Sequence, residues 1–327
     1  MPLSLTVRTE RWPVAGSFAI ARGTRTEVVV VVAELSDGAH AGRGECVPYR
    51  RYGETVETVV GAIEGQRGPL ADGLDRAALQ KVMAPGAARN ALDCALWDLE
   101  AKRAGRPVHA LAGLPPPRPV TTALTISLGT PAAMAAAAAK SAARALLKVK
   151  LGGDGDPERI AAVRRAAPQA ELIVDANESW SAGNLADNLA ACAAAGVTLV
   201  EQPLPQSQDD ALAAIAHPIA ICADESVHDR GSLNRLTGKY DAINIKLDKA
   251  GGLTEALLLA AEGERRGFAL MVGCMVATSL SMAPAVLVAQ RARIVDLDGP
   301  LILARDRPHG LVYEQSLVHP ATAALWG

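Results

Sequence analysis

Lysine and carboxylate side chains recur at the ends of apolar runs in the second half of the chain. Lys148 and Lys150 flank Val149, and the next four such residues follow at intervals of 25, 26, 23 and 22 positions. One strand plus one helix has about this length, so neighbouring strands of one sheet are each predicted to end in an ionisable group. Burying several charges together is costly unless they neutralise one another or hold a metal. The group comprises Lys148, Lys150, Asp175, Glu201, Asp224 and Lys246.

Three members of this group are carboxylates that would meet on adjacent strands. Asp175, Glu201 and Asp224 supply hard oxygen ligands without His or Cys, a donor set that favours Mg²⁺. Zinc fits poorly, because the six histidines are dispersed and no pair has ligand spacing. The carboxylates therefore predict one Mg²⁺ per site.

The three lysines predict acid/base chemistry. Lys148 and Lys150, at i and i+2, point to the same side of a strand, and a neighbouring divalent cation would lower the pKa of both. Lys246 would approach from the other side of the carboxylates, so two bases could face one carbon. On the pattern alone, the alternative is a buried ion-pair network in which three lysines neutralise three carboxylates.

The elements that must position these residues form a repeating pattern. From Val120 onward, eight short β-branched runs alternate with Ala-rich helical stretches, which predicts an α/β fold with a parallel (β/α) barrel. Its chemistry would lie at the C-terminal ends of the strands. An open doubly wound sheet is the competing fold, but no G-x-G-x-x-G follows the first strand.

The first part of the chain mixes element types. Strand patterns cover 3–9 and 28–35, and an apolar face at Ala91, Leu92, Ala95, Leu96 and Leu99 predicts a helix over 87–104. Four prolines between positions 115 and 119 suggest a boundary. We predict an α+β capping domain over 1–112, a barrel over 113–300, and a C-terminal segment over 301–327 that returns to the cap.

Composition excludes several classes of partner. The chain has 33 Lys+Arg against 35 Asp+Glu, so no basic field is present to attract nucleic acid. No apolar run approaches the ~18 residues of a membrane helix, and the charged N-terminus lacks the pattern of a signal peptide. Five scattered cysteines predict a reduced, cytoplasmic protein.

With these motifs in order, the chain resembles the enolase superfamily, and within it the lysine-based muconate-lactonising subgroup. The resemblance rests on KVK at 148–150, DAN at 175–177, EQP at 201–203, ADES at 223–226 and NIKLDKAGGL at 244–253. It implies a (β/α)₇β modified TIM barrel with an N-terminal α+β cap. It also implies Lys150 and Lys246 as acid/base groups, assisted by Lys148, and a Mg²⁺ site.

Within the subgroup, the chain is most similar to dipeptide epimerases acting on L-Ala-D/L-Glu. DLDG at 296–299 matches the motif that binds the dipeptide's ammonium group, and the segments 21–27 and 44–55 are also similar. The resemblance implies a two-base inversion of the Glu α-carbon through a metal-stabilised enediolate, in murein peptide metabolism. The cap loops 20–26 and 49–54 would close over the substrate. The resemblance further implies that Arg25 holds the glutamate side chain. The other residues of the implied substrate pocket are Thr125, Lys148, Cys274, Asp296 and Asp298.

Three alternatives remain open. A muconate cycloisomerase, an o-succinylbenzoate synthase or an N-acylamino acid racemase would share the lysines and metal ligands but would not require D-x-D. A Schiff-base aldolase built on a barrel lysine would not require three carboxylates. The third alternative is a catalytically silent metal-binding or interaction protein, and the three lysines beside the carboxylates argue against it. The partner is expected to be a small dipeptide, and a homo-oligomer is possible.

Overall fold

The computed structural model describes residues 2–327. After its first residues the chain forms a three-stranded antiparallel sheet in the order β1-β2-β3, followed by a 3₁₀ helix (Arg50–Tyr52) and five α-helices. The continuous Val28–Val32 run pairs with β1, and its buried side chains pack against the helices. Such β-branched residues favour a strand that is covered by other elements. The elements of this part of the chain are β1 (Ser4–Ile20), β2 (Gly23–Ser36), β3 (Ala41–Cys46), α1 (Val56–Glu64), α2 (Arg67–Ala71), α3 (Arg76–Val82), α4 (Ala87–Ala104) and α5 (Val108–Leu111).

The β1–β2 hairpin is longer than predicted. Pairing is interrupted between Pro13 and Phe18 and then continues to Ile20 and Gly23. The segment 20–26, predicted as a loop, is therefore mostly strand, and only residues 21 and 22 form the turn. We call residues 18–25 the hairpin tip. The prediction was wrong because backbone pairing resumes beyond the irregularity at Pro13.

The second sheet carries eight parallel strands in the order β12-β11-β10-β9-β8-β7-β6-β5. A hydrogen bond from Ala123 N to Val295 O, 2.8 Å, joins its two edges. The predicted (β/α)₇β barrel is confirmed, although 3₁₀ helices (Asp209–Ala214 and Arg230–Arg235) replace α-helices between β8 and β10. The elements are β4 (Val120–Thr121), β5 (Leu124–Ile126), α6 (Pro131–Lys140), β6 (Leu146–Lys150), α7 (Asp156–Ala166), β7 (Glu171–Asp175), α8 (Leu185–Ala194), β8 (Val197–Glu201), β9 (Ala220–Ala223), β10 (Ala242–Ile245), α9 (Leu247–Ala250), α10 (Leu253–Arg265), β11 (Ala269–Gly273), α11 (Ser279–Ala289), β12 (Ile294–Asp296), α12 (Gly299–Ile302), β13 (Tyr313–Glu314) and β14 (Leu317–Val318).

Strand register aligns the polar ends of the barrel. Lys150 pairs with Asp175, which pairs in turn with Glu201, so three charged residues lie side by side at one end of the sheet. Below these charged residues, the barrel interior is filled by a buried layer of small and medium-sized apolar side chains. Each of the eight strands, or the residue next to it, contributes one of them. The layer comprises Ala123, Leu146, Ile173, Leu199, Cys222, Ala242, Met271 and Ile294. An aliphatic core of this kind agrees with an aromatic content of only 3%.

Helix α4 joins the cap to the barrel. Arg89 Nη2 donates to Ala250 O at 2.7 Å, and Asn90 Nδ2 donates to Asp248 Oδ1 at 2.9 Å. Further along the helix, the Trp97 indole donates to Thr254 Oγ1 at 3.0 Å. Because the barrel partners follow β10, the cap packs directly against the loop that starts at Lys246.

Glycines in β3 allow the sheet to approach α4 closely. A Cβ at Gly44 would lie 2.1 Å from Ala91 O, and both atoms belong to rigid elements. We expect Gly44→Ala to lower the free energy of unfolding by about 3 kcal/mol, because over-packing forces backbone shifts. Gly61→Ala in α1 meets nothing within 4 Å and should be neutral or stabilising by about 0.5–1 kcal/mol. Urea denaturation of both variants checks this, and equal stabilities would contradict it.

The C-terminal residues contact α4. The Trp326 indole donates to Cys94 O at 3.0 Å, and Gly327 N donates to Asp98 Oδ1 at 2.8 Å. The division of the chain at 112 and 300 stays a prediction. Within residues 2–327, no helix combines the length and apolar character that a membrane crossing requires.

Candidate active site

Three carboxylates converge at the C-terminal ends of adjacent strands. Asp175 ends β7, Glu201 ends β8 and Asp224 follows β9, and one oxygen of each lies within 4.8 Å of the others. All three are buried, and none is more than 2% exposed. The structure thus brings the predicted triad together as a group able to hold a metal ion.

Two lysines flank this triad. Lys150 comes from β6 on one side and lies 2.6 Å from Asp175 Oδ2, whereas Lys246 follows β10 on the other side and lies 2.6 Å from Asp224 Oδ2. The sheet order β6-β7-β8-β9-β10 places the three acidic strands between them. The two ammonium groups therefore approach the triad from opposite sides, as the strand spacing predicts.

The third lysine lies at the centre of the charges. Lys148 Nζ is 2.6 Å from Glu201 Oε2, 3.1 Å from Asp175 Oδ2 and 2.7 Å from Asp296 Oδ2. These contacts agree with the buried ion-pair network that was the alternative to a metal site in the sequence analysis. A network of this kind and a metal site use the same carboxylates, so the contacts are compatible with both.

The protein's own carboxylates raise the pKa of two of the lysines, Lys148 and Lys246. Burial acts to lower the pKa of Lys148, but Asp296, Glu201 and Asp175 outweigh it and raise that pKa well above its usual value. The same holds for Lys246: burial acts to lower its pKa, but Asp224, Glu201 and Asp175 together outweigh burial and raise that pKa. These shifts reflect the protein's own charges alone, so the lowering that is expected beside a bound divalent cation stays a prediction.

The triad has donor atoms suited to a hard cation. Glu201 Oε2 is buried and accepts no hydrogen bond, although the Lys148 ammonium lies 2.6 Å away. Burial, reinforced by the neighbouring Asp175 charge, raises the pKa of Glu201 to about 8. A divalent cation would relieve both costs, since it binds carboxylate oxygens and favours their ionised form. The residues present therefore fit such an ion.

Two residues of the site had not been singled out from the sequence. Asn244 Nδ2 donates to Glu201 Oε1 at 2.7 Å, and the buried Lys249 ammonium lies 2.5 Å from Asp224 Oδ1. Both hold carboxylates of the triad in place. Their spacing from Lys246 could have indicated them. Asn244 precedes Lys246 by two residues, so both point to the same side of the sheet, and Lys249 follows Lys246 by one helical turn.

The residues implied for substrate binding line one cavity together with Lys150 and Lys246. It is bounded by Arg25, Thr125, Lys148, Cys274, Asp296 and Asp298.

Within this cavity, two carboxylates and one guanidinium have distinct surroundings. Asp298 Oδ2 accepts from Thr125 N at 2.7 Å, and burial, with help from the Asp296 charge, raises the Asp298 pKa to about 7. Asp296 Oδ1 is buried and accepts no hydrogen bond. Arg25 extends from the hairpin tip and lies over the Tyr49 ring at 5.4 Å. The cavity thus has an anionic side and a cationic side.

Family models match nearly all of this architecture. The model "Mandelate racemase / muconate lactonizing enzyme, N-terminal domain" covers residues 3–113, and "Enolase C-terminal domain-like" covers 132–320. The chain is 48% identical over 312 residues to an L-Ala-D/L-Glu epimerase of Escherichia coli (strain K12), covering 95% of this chain and 97% of that protein. It is 42% identical over 300 residues to an N-acetyl-D-glutamate racemase of Pseudoalteromonas sp, covering 91% and 95%.

Solved structures agree with these matches. An enolase family member from Agrobacterium tumefaciens with homology to dipeptide epimerases, with bound sodium and L-Ala-L-Glu, superposes with a TM-score of 0.98 at 56% identity and covers both chains fully. A dipeptide epimerase from Enterococcus faecalis V583, complexed with Mg and L-Leu-L-Tyr, superposes with a TM-score of 0.91 at 28% identity over 99% of each chain. The chain therefore belongs to the mandelate racemase/muconate lactonizing enzyme family of the enolase superfamily.

Proposed function

We propose that the protein is a Mg²⁺-dependent epimerase that inverts the glutamate α-carbon of L-Ala-D/L-Glu dipeptides. The observation that carries the proposal is the placement of Lys150 and Lys246 on opposite sides of the carboxylate triad, within one cavity. Inversion at carbon needs one base on each face. The relatives with dipeptide epimerase activity support the same reaction class.

The cavity matches the three charges of such a dipeptide. Its ammonium group would bind the unpartnered Asp296 Oδ1, and its side-chain carboxylate would bind Arg25. The α-carboxylate would face the triad Asp175, Glu201 and Asp224, where Lys148 contributes a further positive charge. This arrangement would place the glutamate α-carbon between the two flanking lysines.

Proton transfer is assigned to this pair of lysines. When bound, Mg²⁺ supplies positive charge that offsets the charge developing on the substrate carboxylate. One of the lysines, Lys150 or Lys246, removes the α-proton as a neutral amine, and the other, as an ammonium group, donates a proton to the opposite face. Lys148 orients the carboxylate and stays protonated, because three neighbouring carboxylates hold its proton.

A second candidate is racemisation of N-acyl glutamate, which the 42% identical racemase favours. An N-acyl substrate has no ammonium group, so it would leave Asp296 Oδ1 and Asp298 without a cationic partner in a buried site. We therefore favour the dipeptide.

One experiment separates these candidates. The protein is incubated with Mg²⁺ and either L-Ala-L-Glu or N-acetyl-L-Glu in D₂O, and ¹H NMR follows loss of the Glu α-proton signal and inversion at that carbon. We expect exchange and a new diastereomer with the dipeptide. Turnover of N-acetyl-Glu alone would establish the second candidate, and turnover of neither substrate would contradict both.

Arg25 is predicted to confer selectivity for glutamate at the second position. Replacing Arg25 with methionine keeps an apolar stem but removes the charge, so kcat/KM for L-Ala-L-Glu should fall about 100-fold, as expected for loss of a charge-assisted bidentate pair. The variant should discriminate little between L-Ala-L-Glu and L-Ala-L-Met. Arg8→Met, which removes a surface arginine paired with Glu34 on the same cap sheet, is the control. Retained preference for glutamate in the Arg25 variant would refute this role.

A further inference from the structure

Glu178, on the loop after β7, lies between two arginines of the cap. Arg51 donates to both carboxylate oxygens, from Nε to Oε2 at 2.8 Å and from Nη2 to Oε1 at 2.7 Å. Arg22 Nη1 lies 3.4 Å from Oε2. Arg22 belongs to the hairpin tip, and Arg51 belongs to the segment 49–54. A single barrel carboxylate therefore joins both cap segments.

Arg22 makes further contacts with the protein, whereas Arg25 does not pair with an acid. Arg22 Nη2 lies 2.7 Å from the buried Glu225 carboxylate and donates to the Tyr49 hydroxyl at 3.2 Å. Within residues 2–327, Arg25 forms no salt bridge and contacts the face of Tyr49. The two arginines of the hairpin tip thus differ in role: Arg22 binds the barrel, and Arg25 remains available to a ligand.

The backbone around Glu178 is strained. Asn177 and Glu178 have φ values of 46° and 66°, in the left-handed region that disfavours a long side chain such as Glu. Backbone strain of this kind persists where surrounding contacts hold it, and it clusters at functional sites. Here Glu178 N donates to Gln202 O at 2.9 Å, and Oε1 accepts from Gln206 N at 3.0 Å. The carboxylate is therefore held in one place, facing the cap.

We propose that Glu178 is a positioning residue that keeps the hairpin tip and the segment 49–54 closed over the substrate, acting through Arg22 and Arg51. The inference rests on the proposed function, because the dipeptide is the ligand under the closed segments. Glu178 and Arg51 do not line the cavity, whereas Arg22, Arg25 and Tyr49 do. Glu178 thus contributes to substrate binding through the placement of these cap side chains and not by contact with the substrate.

Glu178→Gln keeps the side-chain size and removes the charge that both arginines share. The closed form becomes less populated, so KM for L-Ala-L-Glu should rise about tenfold, since apparent affinity scales with the competent fraction. Because saturating substrate restores closure, kcat should change less than about threefold. Amide hydrogen exchange in residues 18–25 and 49–54 should accelerate in protein without dipeptide. Glu34→Gln, which breaks the Arg8–Glu34 pair on the cap sheet, should change none of these.

Three further variants separate the role of the carboxylate from general structural effects. Arg51→Met should raise KM by a similar factor, and the double variant with Glu178→Gln should be no worse than either single one, because the two residues act as one unit. Glu178→Gly relieves the left-handed strain, so its melting temperature should be maintained while KM still rises.

Specific results would overturn the proposal. An unchanged KM together with unchanged hydrogen exchange in Glu178→Gln would do so. A fall in kcat at constant KM would also overturn it, because Glu178 would then act on catalysis through the neighbouring Asp175 and not on closure of the cap segments. If the wild-type protein fails to turn over L-Ala-L-Glu, the proposed function is wrong. In that case, hydrogen exchange of the two segments, measured without dipeptide, still tests whether Glu178 holds them closed: exchange should be faster in Glu178→Gln than in the wild type.

Discussion

Replacing Lys150 or Lys246 with alanine is expected to abolish epimerisation of L-Ala-L-Glu, lowering the rate about a thousandfold or more, since a positioned general base contributes up to ~10⁴-fold. Both variants should fold. Without Lys150, Asp175 keeps Lys148 at 3.1 Å, and without Lys246, Asp224 keeps Lys249 at 2.5 Å. Each buried carboxylate thus retains a cationic partner, so the loss is one of catalysis and not of structure.

Isotope exchange makes this prediction sharper. With one lysine left, the remaining base can remove and return the α-proton on its own face, so one diastereomer should exchange with D₂O without inverting. Lys150→Ala and Lys246→Ala should retain exchange of opposite diastereomers. ¹H NMR of L-Ala-L-Glu and L-Ala-D-Glu with each variant measures this.

The control is Lys140→Ala, which removes an exposed lysine at the end of α6 and should behave as wild type. Full epimerisation by either active-site variant would refute the two-base mechanism. So would retained exchange of the same diastereomer in both variants.

Removal of divalent ions is the second change with a large expected effect. Treatment with EDTA should reduce exchange of the Glu α-proton by about 10³-fold or more, because electrostatic stabilisation of the developing charge is lost. Lys148 cannot replace that charge, since Glu201, Asp175 and Asp296 already share it. Added Mg²⁺ should restore activity in the wild type. Glu201→Gln should stay inactive at the same Mg²⁺ concentration.

Two controls accompany the chelation experiment. Glu158→Gln removes an exposed carboxylate from the first turn of α7 and should respond to EDTA and Mg²⁺ as wild type does. Circular dichroism should show that the chelated protein keeps its secondary structure. Full exchange in EDTA would argue for metal-independent chemistry, and borohydride trapping of substrate would then identify a Schiff base.

The sequence alone predicted the barrel and the placement of its charges. The elements that were predicted have local signals: β-branched runs for strands, alanines for helices, and Gly105 after the helix ending at Ala104. The regular spacing of polar residues then predicted that Asp175, Glu201 and Asp224 meet, because parallel strands of one barrel end at the same rim. The roles of Arg25, Thr125 and the other pocket residues depended on the family resemblance, since no local pattern indicates them.

Other features depend on tertiary contacts that the sequence does not encode locally. The hairpin tip extends as strand because β1 resumes pairing beyond Pro13. The raised pKa of Lys148 reflects carboxylates from three other strands, which no window of sequence contains. The contacts of Glu178 with Arg51 join residues 127 positions apart, and a lone glutamate after DAN gives no sign of them.

The contact between helix α4 and the barrel restricts how substrate can enter and product can leave. Rotation of the whole cap would break the hydrogen bonds of Arg89, Asn90 and Trp97 to the residues after Lys246 at the same time. The bonds of Arg89 and Asn90 are buried, and each buried polar group left unpaired is costly. Opening of the hairpin tip and the segment 49–54 leaves those hydrogen bonds intact and breaks the contacts of Arg22 with Glu178 and Glu225 and of Arg51 with Glu178. We therefore expect substrate to enter and product to leave by movement of these two short segments, while the element that carries Lys246 stays in place.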